Sequence, residues 1–267
     1  MKQERECVDM QIGVQTFTIR KAQKQNIEKA YLPLIEMGIR DLEIARIKFD
    51  RKNALEVRKM MDAHGVRVAA IQAKPKDVHW HPERLVEFCQ ITGCKNIVIS
   101  MLPFHCILGG EKLFERFVDK LDDWYDAFEK QGITLSYHHH NWEYVPLSNG
   151  KTRMEVLLER TKKIRFVHDT YWTARSGRDP VHQIREFGHR LTGIHLRDLT
   201  FYKKGLDVLP RDTALGQGVI DFYRVLEAAK QAGCQYCAIE QKTDHPYEDL
   251  KVSWAHCKEI TKPQEAQ

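Results

Sequence analysis

No stretch of this 267-residue chain holds the roughly 20 consecutive apolar residues that cross a bilayer. Its start, Met1-Lys2-Gln3-Glu4-Arg5-Glu6, lacks the apolar centre of a secretory signal. The expectation is therefore a cytoplasmic protein with no membrane partner. The seven cysteines are scattered and odd in number, which argues against a disulfide framework and for reduced thiols. Cys234-Gln235-Tyr236-Cys237 has the spacing of a zinc knuckle, but no second pair completes a four-thiolate site. Buried or incidental cysteines are the favoured reading. A dense basic run is missing as well. Lys and Arg number 42 against 37 Asp and Glu, a net charge of +5, which suits an anionic substrate without demanding one and supplies no nucleic-acid arm. After the first apolar segment, Gly13-Val14-Gln15-Thr16-Phe17 does not form a phosphate-binding glycine fingerprint. No linker or low-complexity segment divides the chain.

What is present is a repeating unit. Ile12–Ile19 reads as a strand, and Asn26–Met37 follows with apolar residues at helical spacing, closed by Gly38. The same unit recurs with strands at Asp41–Ala45, Val66–Ala73, Asn96–Met101, Ile133–His140, Ile164–Asp169, Leu191–Leu196 and Tyr236–Gln241. The helices between them are read at Asn53–His64, from His81-Pro82-Glu83 to Gly93, Glu111–Lys130, Arg153–Lys162, after Asp179-Pro180, and Phe222–Gln231 behind the N-cap Asp221. A terminal helix spans about Tyr247–Ile260, and the segment between Leu196 and the Phe222 helix reads as a long loop. Eight strands alternating with helices predict an α/β fold, a single (β/α)8 TIM barrel over residues 1–267, with 1–10 and 261–267 as terminal extensions. Parallel strands need helical crossovers, and closure leaves no sheet edge.

Four of these strands end in metal-capable residues. They are Tyr137-His138-His139-His140, Val167-His168-Asp169, Gly193-Ile194-His195 and Ala238-Ile239-Glu240. In a parallel barrel the carboxyl ends meet on one face, so residues a hundred positions apart can surround one ion. Asp169 and Glu240 each follow apolar strand residues, where a carboxylate is costly unless paired, hydrogen-bonded or on a cation; for Asp169 a helix N-cap is the plain alternative. His195 taken alone is as readily a hydrogen-bonded core histidine. Alternation puts His138 and His140 on one side of the fifth strand and His139 on the other, while Glu143 lies beyond the strand, where parity no longer decides.

The motifs Tyr137-His138-His139-His140-Asn141-Trp142-Glu143, Asp169-Thr170-Tyr171-Trp172, Ile194-His195-Leu196-Arg197-Asp198, Leu215-Gly216-Gln217-Gly218-Val219-Ile220-Asp221-Phe222 and Ile239-Glu240-Gln241, with Gly13–Arg20 at the start, resemble the xylose-isomerase-like sugar phosphate isomerase/epimerase superfamily. The similarity runs nearly end to end, specific for the superfamily and weak for substrate. It implies a divalent ion held by Asp169, His195 and Glu240 on strands six, seven and eight. On strand five the epimerase branch places a glutamate that is ligand and acid/base; this chain has His138 there, a departure from symmetric two-glutamate proton exchange. Trp172 stands where epimerases often carry a substrate-binding histidine and is read as an apolar wall. Gly216-Gln217-Gly218 resembles the loop near substrate, or is only a turn.

A carboxylate and imidazole set suits Mn²⁺, Co²⁺, Mg²⁺ or Zn²⁺, with Mn²⁺ favoured by its oxygen share and lack of thiolates. Such an ion polarises a carbonyl and stabilises an enediolate. Glu240 is then the first candidate base, with His140 or Glu143 opposite. Lys74 and Arg197 are candidates to hold substrate oxygens, or surface charges; Glu43 either lines the pocket or is a solvated strand-end charge. The leading expectation is a metal-dependent isomerase or epimerase of a sugar or keto-sugar. The alternative is a dehydratase or lyase of a keto-sugar or cyclitol, as in the inosose dehydratase relatives with their His-rich fifth strand. DNA processing of the AP endonuclease kind needs more ligands and a basic groove, so no nucleic-acid partner is expected; a non-catalytic barrel would keep the pattern without binding metal. Barrels of this group often form homo-oligomers, and no residue here bears on that.

Overall fold

A computed structural model describes residues 10–262; the terminal extensions read at 1–10 and 261–267 fall almost wholly outside the described residues. Strands β1 (Gln11–Gln15), β2 (Asp41–Ala45), β3 (Arg67–Ala73), β4 (Asn96–Ile99), β5 (Thr134–His138), β6 (Arg165–Asp169), β7 (Leu191–Leu196) and β10 (Tyr236–Ile239) close into one parallel barrel, with β10 seated between β7 and β1. Helices connect successive strands and pack their apolar stripes on the outside of the sheet, where most of the core lies. The barrel interior has a small core of its own, Ala70, Val98, Val167, Tyr236 and Ala238.

Two glycines make the barrel close tightly. A Cβ on Gly13 would lie 1.9 Å from the Asp41 carbonyl oxygen, and one on Gly193 would lie 2.4 Å from the Tyr236 ring. Tyr236 pairs in register with Gly193, so its ring fills the space the glycine leaves. No helix among the described residues is long and apolar enough to cross a membrane.

Several elements depart from the sequence expectation. The segment between Leu196 and Phe222 is no simple loop: β8 (Asp198–Lys204) and β9 (Asp207–Thr213) form an antiparallel hairpin. Its two-residue turn, Gly205-Leu206, starts with glycine at φ 64°, the requirement of a tight hairpin turn. The helix expected over Glu111–Lys130 is two helices, Glu111–Val118 and Leu121–Glu129, separated by a tightened turn where Lys120 N–H bonds Phe117 O three residues back. β1 stops at Gln15 because Thr18, Ile19 and Arg20 turn their N–H groups onto the carbonyls three residues earlier, leading into a short helix at Arg20–Gln25. Short helices at Pro75–Trp80 and Phe104–Leu108 follow β3 and β4.

Candidate metal centre

Strand ends deliver the cluster. His138 closes β5, Asp169 closes β6, His195 lies one residue before the end of β7, and Glu240 follows β10. Register aligns Asp169 with His195 and His195 with Ala238, so the four side chains face inward at the same rim. One donor atom from each of His138, Asp169, His195 and Glu240 lies within 4.8 Å of the other three, and all four residues are buried.

Each imidazole is held from behind. His138 Nδ1 donates to the Ser100 carbonyl at 3.2 Å, which turns Nε2 towards Asp169 Oδ2, 3.4 Å away. His195 Nε2 donates to Glu43 Oε1 at 2.9 Å, and Glu43 Oε2 accepts from the Tyr236 hydroxyl at 2.7 Å. His195 Nδ1 is thereby left facing the cluster. It is buried with no hydrogen bond, although Glu240 Oε2 is 3.0 Å away. A hydrogen-bonded partner on one ring nitrogen, with the other turned towards carboxylates, is the arrangement of a metal-ligating histidine once that second nitrogen gives up its proton. Asp169 serves two purposes: Oδ1 caps the Thr170–Arg175 helix through Trp172 N–H at 3.0 Å, and Oδ2 faces the cluster. The donor set therefore fits a divalent cation, two imidazole nitrogens and two carboxylate oxygens.

The electrostatics ask for positive charge. Burial opposes a charge on His195, but Glu43, Asp169 and Glu240 outweigh it and hold its pKa well above the ordinary value. Burial would raise Asp169, yet the Arg197 guanidinium and the two histidines keep its carboxyl well below the usual range. Glu240 is likewise raised by burial but brought down to about 2 by Arg197 and His195. Arg197 bridges the pair, with Nη1 3.2 Å from both Asp169 Oδ2 and Glu240 Oε1. Its other edge meets Asp212 on β9, and its face lies over Tyr171 and Trp172, 4.8 and 5.3 Å from the ring centroids.

The other sequence candidates separate clearly. His140 lines the cavity beside Trp172; its Nδ1 has no partner, and burial lowers its pKa to about 3. Trp172 lines the cavity too, with an unpartnered indole N–H. Arg197, buried to 4% exposure, is no surface charge. Lys74 and Gln217 are exposed on the rim of the same cavity. Glu43 is neither solvated nor lining the opening; it lies behind His195. Glu143 is not brought to the cluster. It is fully buried, accepts from the Tyr137 hydroxyl and from His140 N–H at 2.7 Å, and does not line the cavity. The residues beyond the strand turn back into a 3₁₀ turn at Trp142–Tyr144, which carries Glu143 to the outward side where Tyr137 points. His139, outward by parity, accepts from Asp169 N–H at 3.1 Å and contacts His168 at 3.2 Å.

Asp212, Gln241 and Ser100 escaped the sequence reading. Asp212 and Gln241 each bring an unpartnered buried polar atom to the cavity lining. Asp212 was hidden in the unrecognised hairpin, and Ser100 acts through its backbone, which no side-chain pattern reveals.

Residues 32–260 match the model of the xylose isomerase-like TIM barrel family. The chain belongs to that family. Members of the xylose isomerase-like TIM barrel family are enzymes. An inosose dehydratase of Geobacillus thermodenitrificans (strain NG80-2) is 27% identical over 153 residues, 50% of this chain and 49% of that protein. The match thus spans about half the length of that relative. Among solved structures, a sugar phosphate isomerase/epimerase from Parabacteroides distasonis ATCC 8503 superposes with a TM-score of 0.77 at 19% identity, covering 95% of this chain and 99% of that one. A xylose isomerase-like TIM barrel protein from Mycobacterium smegmatis in complex with magnesium gives 0.70 at 10% identity, over 96% and 98% of the two chains. At such identities these two structures speak for the shared fold alone.

Proposed function

We propose that this protein is a divalent-metal-dependent enzyme that moves a proton next to the carbonyl of a sugar, keto-sugar or cyclitol, isomerising or epimerising it. The observation that carries the reading is the convergence of His138, Asp169, His195 and Glu240 within 4.8 Å, with the His195 nitrogen facing them left without a hydrogen bond. The mixed nitrogen and oxygen donors favour Mn²⁺, with Co²⁺, Mg²⁺ and Zn²⁺ as competitors. Bound there, the ion would supply Lewis acidity, drawing electrons from the carbonyl so that the neighbouring C–H becomes acidic.

The chain's own residues do the rest. His138, Asp169, His195 and Glu240 hold the cation, and Glu43 fixes which nitrogen of His195 is available. Glu240 Oε1 is the proton acceptor on one side of the substrate. Its low proton affinity comes from Arg197; when Nη1 turns to a substrate oxygen, that restraint relaxes and the carboxylate becomes a stronger base. His140, a neutral imidazole with an open Nδ1, stands beside the site as a second proton acceptor, and the proton taken from one carbon goes back to carbon from the Glu240 carboxyl that received it. Trp172 walls the pocket and offers its indole N–H to a hydroxyl, and Gln217 and Lys74 stand at the rim as further hydroxyl partners.

A second reading, elimination of water from the same carbanion, is supported by the inosose dehydratase similarity and by histidine in place of a carboxylate at the end of β5. The two readings part on product mass. Candidate ketoses and inososes are incubated with the Mn²⁺-loaded protein in D₂O and analysed by mass spectrometry. Isomerisation or epimerisation yields a product with solvent deuterium on carbon and no loss of water, whereas dehydration removes one water. Turnover that persists undiminished after chelation, or in His195→Ala, would refute the metal-dependent reading altogether.

A further inference from the structure

The rim of the cavity has two poles. The metal donors all come from β5, β6, β7 and β10, on one side. On the other side, the segments after β1, β2 and β3 bring Arg20, Arg46, Lys48 and Lys74 to the lining of the same cavity, together with the carboxylates of Asp50, which caps the next helix, and Asp77. The ion pairs among the described residues take up none of these four cations.

Two of them are placed with some care. The Arg20 and Arg46 guanidinium groups both lie over the Phe17 ring, 4.1 and 5.2 Å from its centroid. Arg20 is tied down further by its Nη1 donating to Phe17 O at 2.9 Å. Arg46 stands at φ 64°, the sole non-glycine residue with positive φ among the described residues. Left-handed backbone is costly for a side chain with a Cβ and tends to persist where function requires it. Here it follows directly on β2 and carries the guanidinium to the cavity. One shared aromatic ring stabilises each guanidinium modestly, whereas a bound anion would stabilise them far more, through charge-assisted and bidentate hydrogen bonds.

Room is available for a longer substrate. The cavity is an open mouth of about 2650 Å³, larger than the roughly 300–1,000 Å³ of usual small-molecule sites. A neutral monosaccharide at the metal pole would leave the cationic pole unfilled.

We propose that the substrate carries an anionic group, a carboxylate or a phosphate, at the end remote from the reacting carbon, and that Arg20 and Arg46 seat it on the Phe17 loop with Lys74 alongside. The seat rests on the reading of the metal pole only for which end of the substrate reacts. Cations spread over three loops would also steer such a substrate into the barrel mouth.

Calorimetric titration of the Mn²⁺-loaded full chain with two matched pairs tests it: D-xylulose 5-phosphate against D-xylulose, and D-fructuronate against D-fructose. At least one anionic probe is expected to bind about ten-fold or more tightly than its neutral partner, a difference of about 1.4 kcal/mol. The pair that shows the advantage distinguishes phosphate from carboxylate. Arg46→Gln and Arg20→Gln are each expected to bring that probe down towards the neutral one, while Arg46→Lys keeps part of the gain. Equal binding within both pairs, or an advantage that survives both glutamine substitutions, overturns the seat. The same titrations in His195→Ala keep the two readings apart. Anionic preference that persists in His195→Ala supports the seat, and it refutes the metal pole as the grip on the sugar only where the neutral probes also bind as tightly as they do to the Mn²⁺-loaded wild type. Metal-dependent binding of the neutral probes with no preference for charge refutes the seat alone.

Discussion

Glu43 contributes no atom to the opening of the cavity, yet it sets which nitrogen of His195 faces the cluster. With the Tyr236 hydroxyl donating to one oxygen and His195 Nε2 to the other, Glu43 leaves Nδ1 facing the cluster. In Glu43→Gln the amide keeps its acceptor towards Tyr236 and turns an N–H towards His195, which favours the wrong tautomer. Metal affinity should fall about 10- to 100-fold, the usual cost of losing such a partner, while the folded fraction is retained; unchanged affinity in a metal titration would refute the role. Asp169→Asn and His195→Ala should lose stoichiometric metal outright. The raised pKa of His195 gives a sign as well: the ion must displace a proton, so affinity should rise with pH and protons should be released on binding, which calorimetry in buffers of different ionisation enthalpy measures. Glu240 acts oppositely in the metal-free protein. Its carboxyl is depressed to about 2 from 4.5, so its contribution to stability is complete above 4.5 and is lost as pH falls towards 2. Acid denaturation of wild type against Glu240→Gln, followed by circular dichroism, reads that window.

At the scale of elements, the sequence was informative where side chains repeat with a period and silent where contacts jump between strands. The eight barrel strands were legible because apolar runs end at glycine-capped helices, and Asp169, His195 and Glu240 because each closes such a run. Glu43 was only half legible: it meets His195 152 positions away, and nothing local distinguishes that from a solvated strand end. Glu143 was misplaced because the 3₁₀ turn after β5 reverses direction where strand parity has ceased to apply. The β8–β9 hairpin is hard to tell from a loop in the sequence, although Gly205 sits between two alternating stretches, because its strands are largely exposed and carry charges on both faces. That hairpin matters to the site through Asp212, which holds one edge of Arg197. Asp212→Ala should leave metal stoichiometry intact and weaken substrate handling, raising KM or lowering kcat by about ten-fold or more, as befits loss of one partner of a buried charge pair; unaltered kinetics would remove the hairpin from the mechanism. Gly193→Ala should push the Tyr236 ring aside, destabilising the barrel by about 1–3 kcal/mol and weakening metal binding through the disturbed Glu43. Loss of stability without loss of affinity would show that Tyr236 only fills space.

For the molecule as a whole, a cation that binds only the folded barrel must stabilise it by mass action, about 2.7 kcal/mol at a hundred-fold excess over Kd. Thermal unfolding of the wild type should therefore shift upward with added Mn²⁺ and revert with chelator, and His195→Ala should show no shift. The route by which the barrel closes sharpens this expectation. The last donor, Glu240, follows β10, and β10 completes the cylinder by pairing with β1 and β7. Until the final strand is synthesised and docked between the first and the seventh, three donors stand along an open wall with their fourth partner missing. A polypeptide whose barrel is still open would thus have little hold on an ion, and loading would report closure of the cylinder rather than aid its early collapse.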